Sequence, residues 1–175
     1  MGAPAEGTDT QQDDQPDPHE VARFIVLRQL TVGARTRAQL AAKLAQRGCP
    51  DDVADTVLDR MTEVGLIDDA AYARALVASK HQTKGLSRRA LAHELRSRGV
   101  EPEVGQDALA DLSQEQERGR ARELVDKRLA SLHGLPPPVQ VRRLAGMLAR
   151  KGYPGDLAMA VIREAMAQAR EHERD

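Results

Sequence analysis

The chain has 175 residues, 41% hydrophobic and 30% charged, with 26 Lys and Arg against 27 Asp and Glu. Such a composition supports a packed core and excludes disorder throughout, while the near-neutral total points to no particular partner. The single cysteine, Cys49, rules out an internal disulfide, and no apolar run approaches the ~18 residues a membrane span requires. A cytoplasmic setting without signal peptide or membrane contact is therefore expected. Aromatic residues amount to only 2%, so Leu, Ala and Val must fill the interior. With many helix formers and no β-branched run, an all-α fold with thin helical layers is expected.

Residues 1–18 carry Glu6, Asp9, Asp13, Asp14 and Asp17 among Gly, Pro and Gln. The segment reads as a disordered acidic tail, because it has too little apolar surface to offset its ordering entropy. An apolar-periodic segment over about 19–32 follows, and then a helix pair from Thr36 to Leu58. The same pair returns from Ser87 to Leu109 and from Gln140 to Ile162, preceded by helical segments near 69–82 and 115–133.

Aligned without gaps, Leu40, Leu91 and Leu144 coincide, as do Leu44, Leu95 and Leu148. Leucines four apart share one helix face, so these are core positions. Thr36 with Gln39 has the form of a capping box, and Ser87 of an N-cap. Arg47-Gly48, Arg98-Gly99 and Lys151-Gly152 end the helices, glycine taking the left-handed turn and the cation facing the negative end of the dipole. Pro50, Pro102 and Pro154 then stand where the next helix starts. Asp68 and Asp69 read as a helix cap rather than a catalytic carboxylate pair, and Cys49 as a packing residue rather than a nucleophile.

Three tandem three-helix modules result, at 19–67, 68–113 and 114–172, in an elongated or curved molecule. The charge is banded. Arg35, Arg37, Lys43 and Arg47 lie in the first middle helix without an acid, and Asp51, Asp52, Asp55, Asp59 and Glu63 in the helix after it. Lys84, Arg88, Arg89, Arg96 and Arg98 mark the second module, and Arg142, Arg143, Arg150 and Lys151 the third. Arg37, Arg88, Arg89, Arg142 and Arg143 are expected in first turns, where the helix dipole disfavours cations. That choice suggests an anion opposite them, the alternative being an ordinary solvated face.

A helix-turn-helix reader would put the acidic helix into the major groove, so sequence-specific DNA reading is not expected, while phosphate contact through the basic helices is. No nucleotide-binding loop, metalloprotease motif or nucleophile elbow is present, and the five histidines have no ligand spacing. No enzyme activity, cofactor or metal is expected, which leaves a binding protein or a general DNA-binding protein.

The run Gly65-Leu66-Ile67-Asp68-Asp69, with Tyr72-Ala73, Lys84-Gly85, Arg88-Arg89, Glu94-Leu95 and Arg98-Gly99-Val100, resembles the RecX family. Thr36-Arg37-Ala38-Gln39-Leu40 with Lys43-Leu44 is similar to its opening, and Leu144, Leu148-Ala149-Arg150 and Gly152-Tyr153 to its third repeat. Cys49 departs from the aromatic residue often found there. The resemblance implies a regulator, usually an inhibitor, that binds the groove of the RecA–DNA filament. Strand exchange, ATP hydrolysis and coprotease activity of RecA would fall, and DNA affinity would be weak. The partner-facing residues expected on this reading are Arg35, Arg37, Lys43, Lys84, Arg88, Arg89, Arg96, Arg98, Arg142, Arg143, Arg150 and Lys151. A monomer is expected.

Overall fold

The computed structural model describes residues 15–172, so the tail expected over 1–18 lies outside the described residues as far as position 14. Among the described residues there are nine α-helices and no strand. Module one holds α1 (Pro18–Val32), α2 (Arg37–Gln46) and α3 (Asp51–Glu63). Module two holds α4 (Asp69–Lys84), α5 (Arg88–Ser97) and α6 (Pro102–Ala110). Module three holds α7 (Gln114–Ala130), α8 (Pro137–Arg150) and α9 (Gly155–His172).

Local chemistry sets the helix ends. Asp17 accepts the His19 N–H at 3.0 Å and so caps α1, which brings Asp17 and Pro18 into the folded part. Thr36 and Gln39 form the expected reciprocal capping box of α2, and Ser113 with Gln116 forms another at α7. Asp68 accepts the Ala71 N–H at 2.9 Å, in the cap role read from sequence. Gly48, Gly99 and Gly152 close the three middle helices at φ 75°, 73° and 86°.

The repeated leucines are core. Leu40, Leu44, Leu91, Leu95, Leu144 and Leu148 are all at most 1% exposed. They belong to three separate clusters, one per module, so no single interior runs through the chain. The first helices repeat as well: Ala22 and Val26, Ala73 and Val77, and Ala121 and Val125 hold equal buried places. Cys49 packs beside the first core, and burial raises its thiol, as do the Asp52 and Asp51 charges, which suits packing rather than attack.

One expectation needs correcting. The third middle helix starts at Pro137, not near Gln140, and has 14 residues where α2 and α5 have 10. The prolines suit its first turn because they lack the N–H that would be unpaired there. Arg142 and Arg143 therefore lie in the second turn, away from the dipole's positive end.

The modules join through their middle helices. Thr36 is fully buried, and its hydroxyl donates to the Arg98 carbonyl at 2.7 Å, setting the end of α5 on the start of α2. The Ser87 N–H donates to the Lys151 carbonyl at 3.0 Å, setting the end of α8 on the start of α5. The three middle helices thus run head to tail in the order α8, α5, α2.

Candidate partner-binding surfaces

Each joint also carries an acid. Asp69, on the first helix of module two, accepts the Arg37 N–H at 2.9 Å. Glu117, on the first helix of module three, accepts the Arg88 N–H at 2.8 Å and is 9% exposed. These carboxylates sit at the positive ends of α2 and α5, where the dipole favours them. Two of the cations expected to face an outside anion there, Arg37 and Arg88, have internal partners instead. The Arg37 guanidinium pairs with Asp59 at 2.8 Å and Asp55 at 3.5 Å. The Arg88 guanidinium donates to the Leu112 carbonyl.

Arg98 is also engaged inside the molecule, donating to Glu94 and to the Tyr72 hydroxyl, both at 2.7 Å. Burial pushes the Glu94 carboxyl up, but the Arg98 hydrogen bond and the Lys80 charge hold it below the usual range. Lys151 donates from Nζ to the Lys84 carbonyl at 2.5 Å. Lys43 donates to Gln46 at 3.0 Å. Arg35 is half-buried, with its Nε unpaired. Lys84, Arg89, Arg96, Arg142, Arg143 and Arg150 are exposed.

Three groups emerge rather than one continuous ribbon. Arg35 and Lys43 flank a shallow cleft with Gln39. Arg89 and Arg96 share a face of α5 beside Gly152 and Tyr153. Lys84, Arg150 and Lys151 line a cleft of ≈ 760 Å³ between modules two and three. Arg142 and Arg143 join none of these.

The third group is larger than the sequence suggested, because α7 adds Arg120 and Lys127. Both flank Leu124 at helical spacing, a signal that was available in the sequence. Arg120 pairs with Glu123 at 2.5 Å and donates to the Gln82 carbonyl at 2.6 Å, and its Nε is buried without a partner. The cleft thus holds five cations and one carboxylate. The ends of α4 and α8 each add about half a negative charge, leaving an excess of about three positive charges. Helix ends alone do not account for that excess, and the cleft suits an anion.

Residues 22–61, 68–109 and 115–162 match the first, second and third three-helix domains of RecX. The chain belongs to the RecX family. It is 52% identical over 148 residues to the regulatory protein RecX of Thermobifida fusca, covering 85% of this chain and 80% of that protein. The RecX of Mycolicibacterium smegmatis is 48% identical, with 98% and 94% covered. The crystal structure of RecX from Lactobacillus salivarius superposes with a TM-score of 0.78 at 19% identity, covering 86% of this chain and 98% of that one. That likeness concerns the fold. The relatives are named regulatory proteins, and this chain is a RecX-family regulatory protein. No helix among the described residues is long and apolar enough to cross a membrane.

Proposed function

We propose that the chain binds the RecA–DNA filament and lowers the recombinase, ATPase and coprotease activities of RecA. Family membership supports RecA as the partner, and the basic cleft between modules two and three is the observation that supports an anionic contact. Lys84, Arg150 and Lys151, with Arg120 and Lys127, form that contact in this reading. Arg89 and Arg96 extend it along α5, and Arg35, Lys43, Arg142 and Arg143 lie outside it as weaker flanks. Arg37, Arg88 and Arg98 hold joints and helix ends together, so they act on the filament only through the shape of the molecule.

Binding rather than turnover is the reading that the relatives' naming as regulatory proteins supports. Lys84, Arg150 and Lys151 stand at the C-terminal ends of α4 and α8, with Lys127 in the last turn of α7 and Arg120 in its middle. Phosphate oxygens or clustered carboxylates on the filament would satisfy these cations equally well.

The test is RecA ATPase on single-stranded DNA, titrated with the wild-type chain and with a Lys84→Glu, Lys127→Glu, Arg150→Glu variant. Inhibition should weaken at least tenfold while the circular dichroism spectrum stays helical, and undiminished inhibition would reject the cleft. A general DNA-binding protein would instead bind bare DNA as tightly as the filament, with a steep loss on adding salt. Equal affinities for bare DNA and filament would favour that reading.

A further inference from the structure

The two joints between modules are not equivalent. At the second joint, module three holds module two at two places. One is the start of α5, where the Ser87 N–H meets the Lys151 carbonyl, the Arg88 N–H meets Glu117, and Gly152 stands against Ser87 and Ala90. The other is the end of α4. There Arg120 donates to the Gln82 carbonyl, Lys151 Nζ to the Lys84 carbonyl, and the Tyr153 hydroxyl to the Gly85 carbonyl at 2.9 Å. Leu124 also covers Gly85, so closely that a Cβ on the glycine would lie 2.7 Å from its Cδ1.

At the first joint the contacts gather at one place. The Thr36 hydroxyl donates to the Arg98 carbonyl, the Arg37 N–H to Asp69, and Gly99 stands against Ala38. All of them fall within residues 36–38, at the start of α2. The end of α1 stays out. Counted back from the caps Thr36 and Ser87, residues 31–34 correspond to 82–85. All four are exposed, Ala34 among them, whereas its counterpart Gly85 is buried. The Thr31 hydroxyl bonds back to the Leu27 carbonyl within α1.

The residues of module two that would reach the end of α1 are engaged inside their own module. Arg120 and Leu124 on α7 correspond to Tyr72 and Leu76 on α4, just as Glu117 corresponds to Asp69. Lys151 and Tyr153 correspond to Arg98 and Val100, counted from Gly152 and Gly99, so the additional turn at the start of α8 does not enter. Arg98 donates to the Tyr72 hydroxyl and to Glu94. Leu76 and Val100 belong to the core of module two, and Val100 has no hydroxyl to offer.

The connecting chain repeats the contrast. Ile67 and Leu112 close the cores of modules one and two, and Asp68 and Ser113 cap the helices that follow. Each module can therefore turn on its predecessor at one peptide. At the second joint the Arg88 guanidinium holds the Leu112 carbonyl of that peptide. At the first joint Arg37, in the place of Arg88, pairs with Asp55 and Asp59 of its own module.

Two separate attachments resist rotation, while a single one acts as a pivot. Small polar interfaces within a chain permit relative motion of the parts they join. We propose that module one turns as a body about residues 36–38, while modules two and three move as one unit. The bonds at the start of α2 keep the middle helices head to tail, and the end of α1 swings toward and away from α4. The basic cleft, built from modules two and three, keeps its shape as module one turns. The proposal rests on the two joints alone and does not depend on RecA.

Double electron–electron resonance between nitroxide labels measures both joints in the full-length chain carrying Cys49→Ser. Thr56→Cys with Gln106→Cys spans the first joint, and Gln106→Cys with Ala167→Cys the second. All three sites are exposed on the third helices of their modules. The distance distribution across the first joint should be broader than that across the second by about twofold or more. Arg120→Ala with Tyr153→Phe, which releases the end of α4, should broaden the second distribution toward the width of the first, with circular dichroism verifying that the variant folds. A first distribution no broader than the second would overturn the proposal, as would a second distribution that the folded Arg120→Ala, Tyr153→Phe variant leaves unchanged.

Discussion

Gly152 and Ser87 approach so closely that a Cβ on the glycine would stand 2.6 Å from the serine hydroxyl oxygen. The glycine ends α8 and the serine starts α5, so this contact is where the third module meets the second. The same glycine position in module one, Gly48, has open space around it. One repeated residue therefore has a conformational role in every copy and a steric role only at the joints.

The two roles separate by mutation. Gly48→Ala meets only the left-handed backbone, a cost of about 1–2 kcal/mol. Gly152→Ala meets the same backbone at φ +86° and also Ser87 and the Ala90 backbone N. Urea unfolding should show the larger loss for Gly152→Ala, with faster amide exchange at Ser87. Equal losses in the two variants would mean that the joint yields without cost.

Glu117 is the acid of that joint. Glu117→Ala leaves the part-buried Arg88 N–H without its acceptor, which should cost about 1–3 kcal/mol. Glu115→Ala, on an exposed residue of the same first turn, should cost about 0.5 kcal/mol or less. Thermal unfolding of the two variants side by side measures the difference, and similar melting temperatures would show that the hydrogen bond adds nothing.

Tyr153 links stability to alkaline pH. Its hydroxyl donates to the Gly85 carbonyl at 2.9 Å, and burial pushes its pKa up to about 12, helped by the Glu117 charge. The unfolded phenol ionises near its ordinary value of 10.0. A raised folded pKa contributes stability that is complete below the unfolded value and is lost as pH climbs through the folded one. Stability should therefore fall between about pH 10 and pH 12, and Tyr153→Phe should flatten that part of the curve. The same substitution should lower stability at neutral pH by about 1 kcal/mol, because the Gly85 carbonyl loses its donor. An unchanged alkaline slope in the variant would assign the transition to other groups.

Most of the fold was legible in the sequence because it depends on local rules. Leucines four apart, Thr36 with Gln39, and a glycine after a basic residue each act within about one helical turn, and each appears as read. The start of α8 was not legible from the leucine register, because the additional turn lies upstream of the repeat and is announced only by prolines. The site was less legible for a related reason. The dipole argument for Arg37 and Arg88 treated each helix as isolated, while Asp69 and Glu117 arrive from the next module, 32 and 29 residues away. Arg120 and Lys127 were missed because α7 mixes five cations with four carboxylates and so gave no charge band, and only the joint brings them beside Lys84 and Arg150.

The head-to-tail order of the middle helices has a consequence for synthesis. Each later module reaches back to cover a polar group of the one before: Arg98 takes the Thr36 hydroxyl, and Lys151 takes the Ser87 amide. As the chain leaves the ribosome, module one can complete its own core before anything docks on it, and each following module closes the exposed seam of its predecessor. A product cut short after Ile67 or Leu112 would keep the buried core residues of its modules but bare a hydroxyl or amide that the whole molecule conceals, a mark by which quality control could distinguish it.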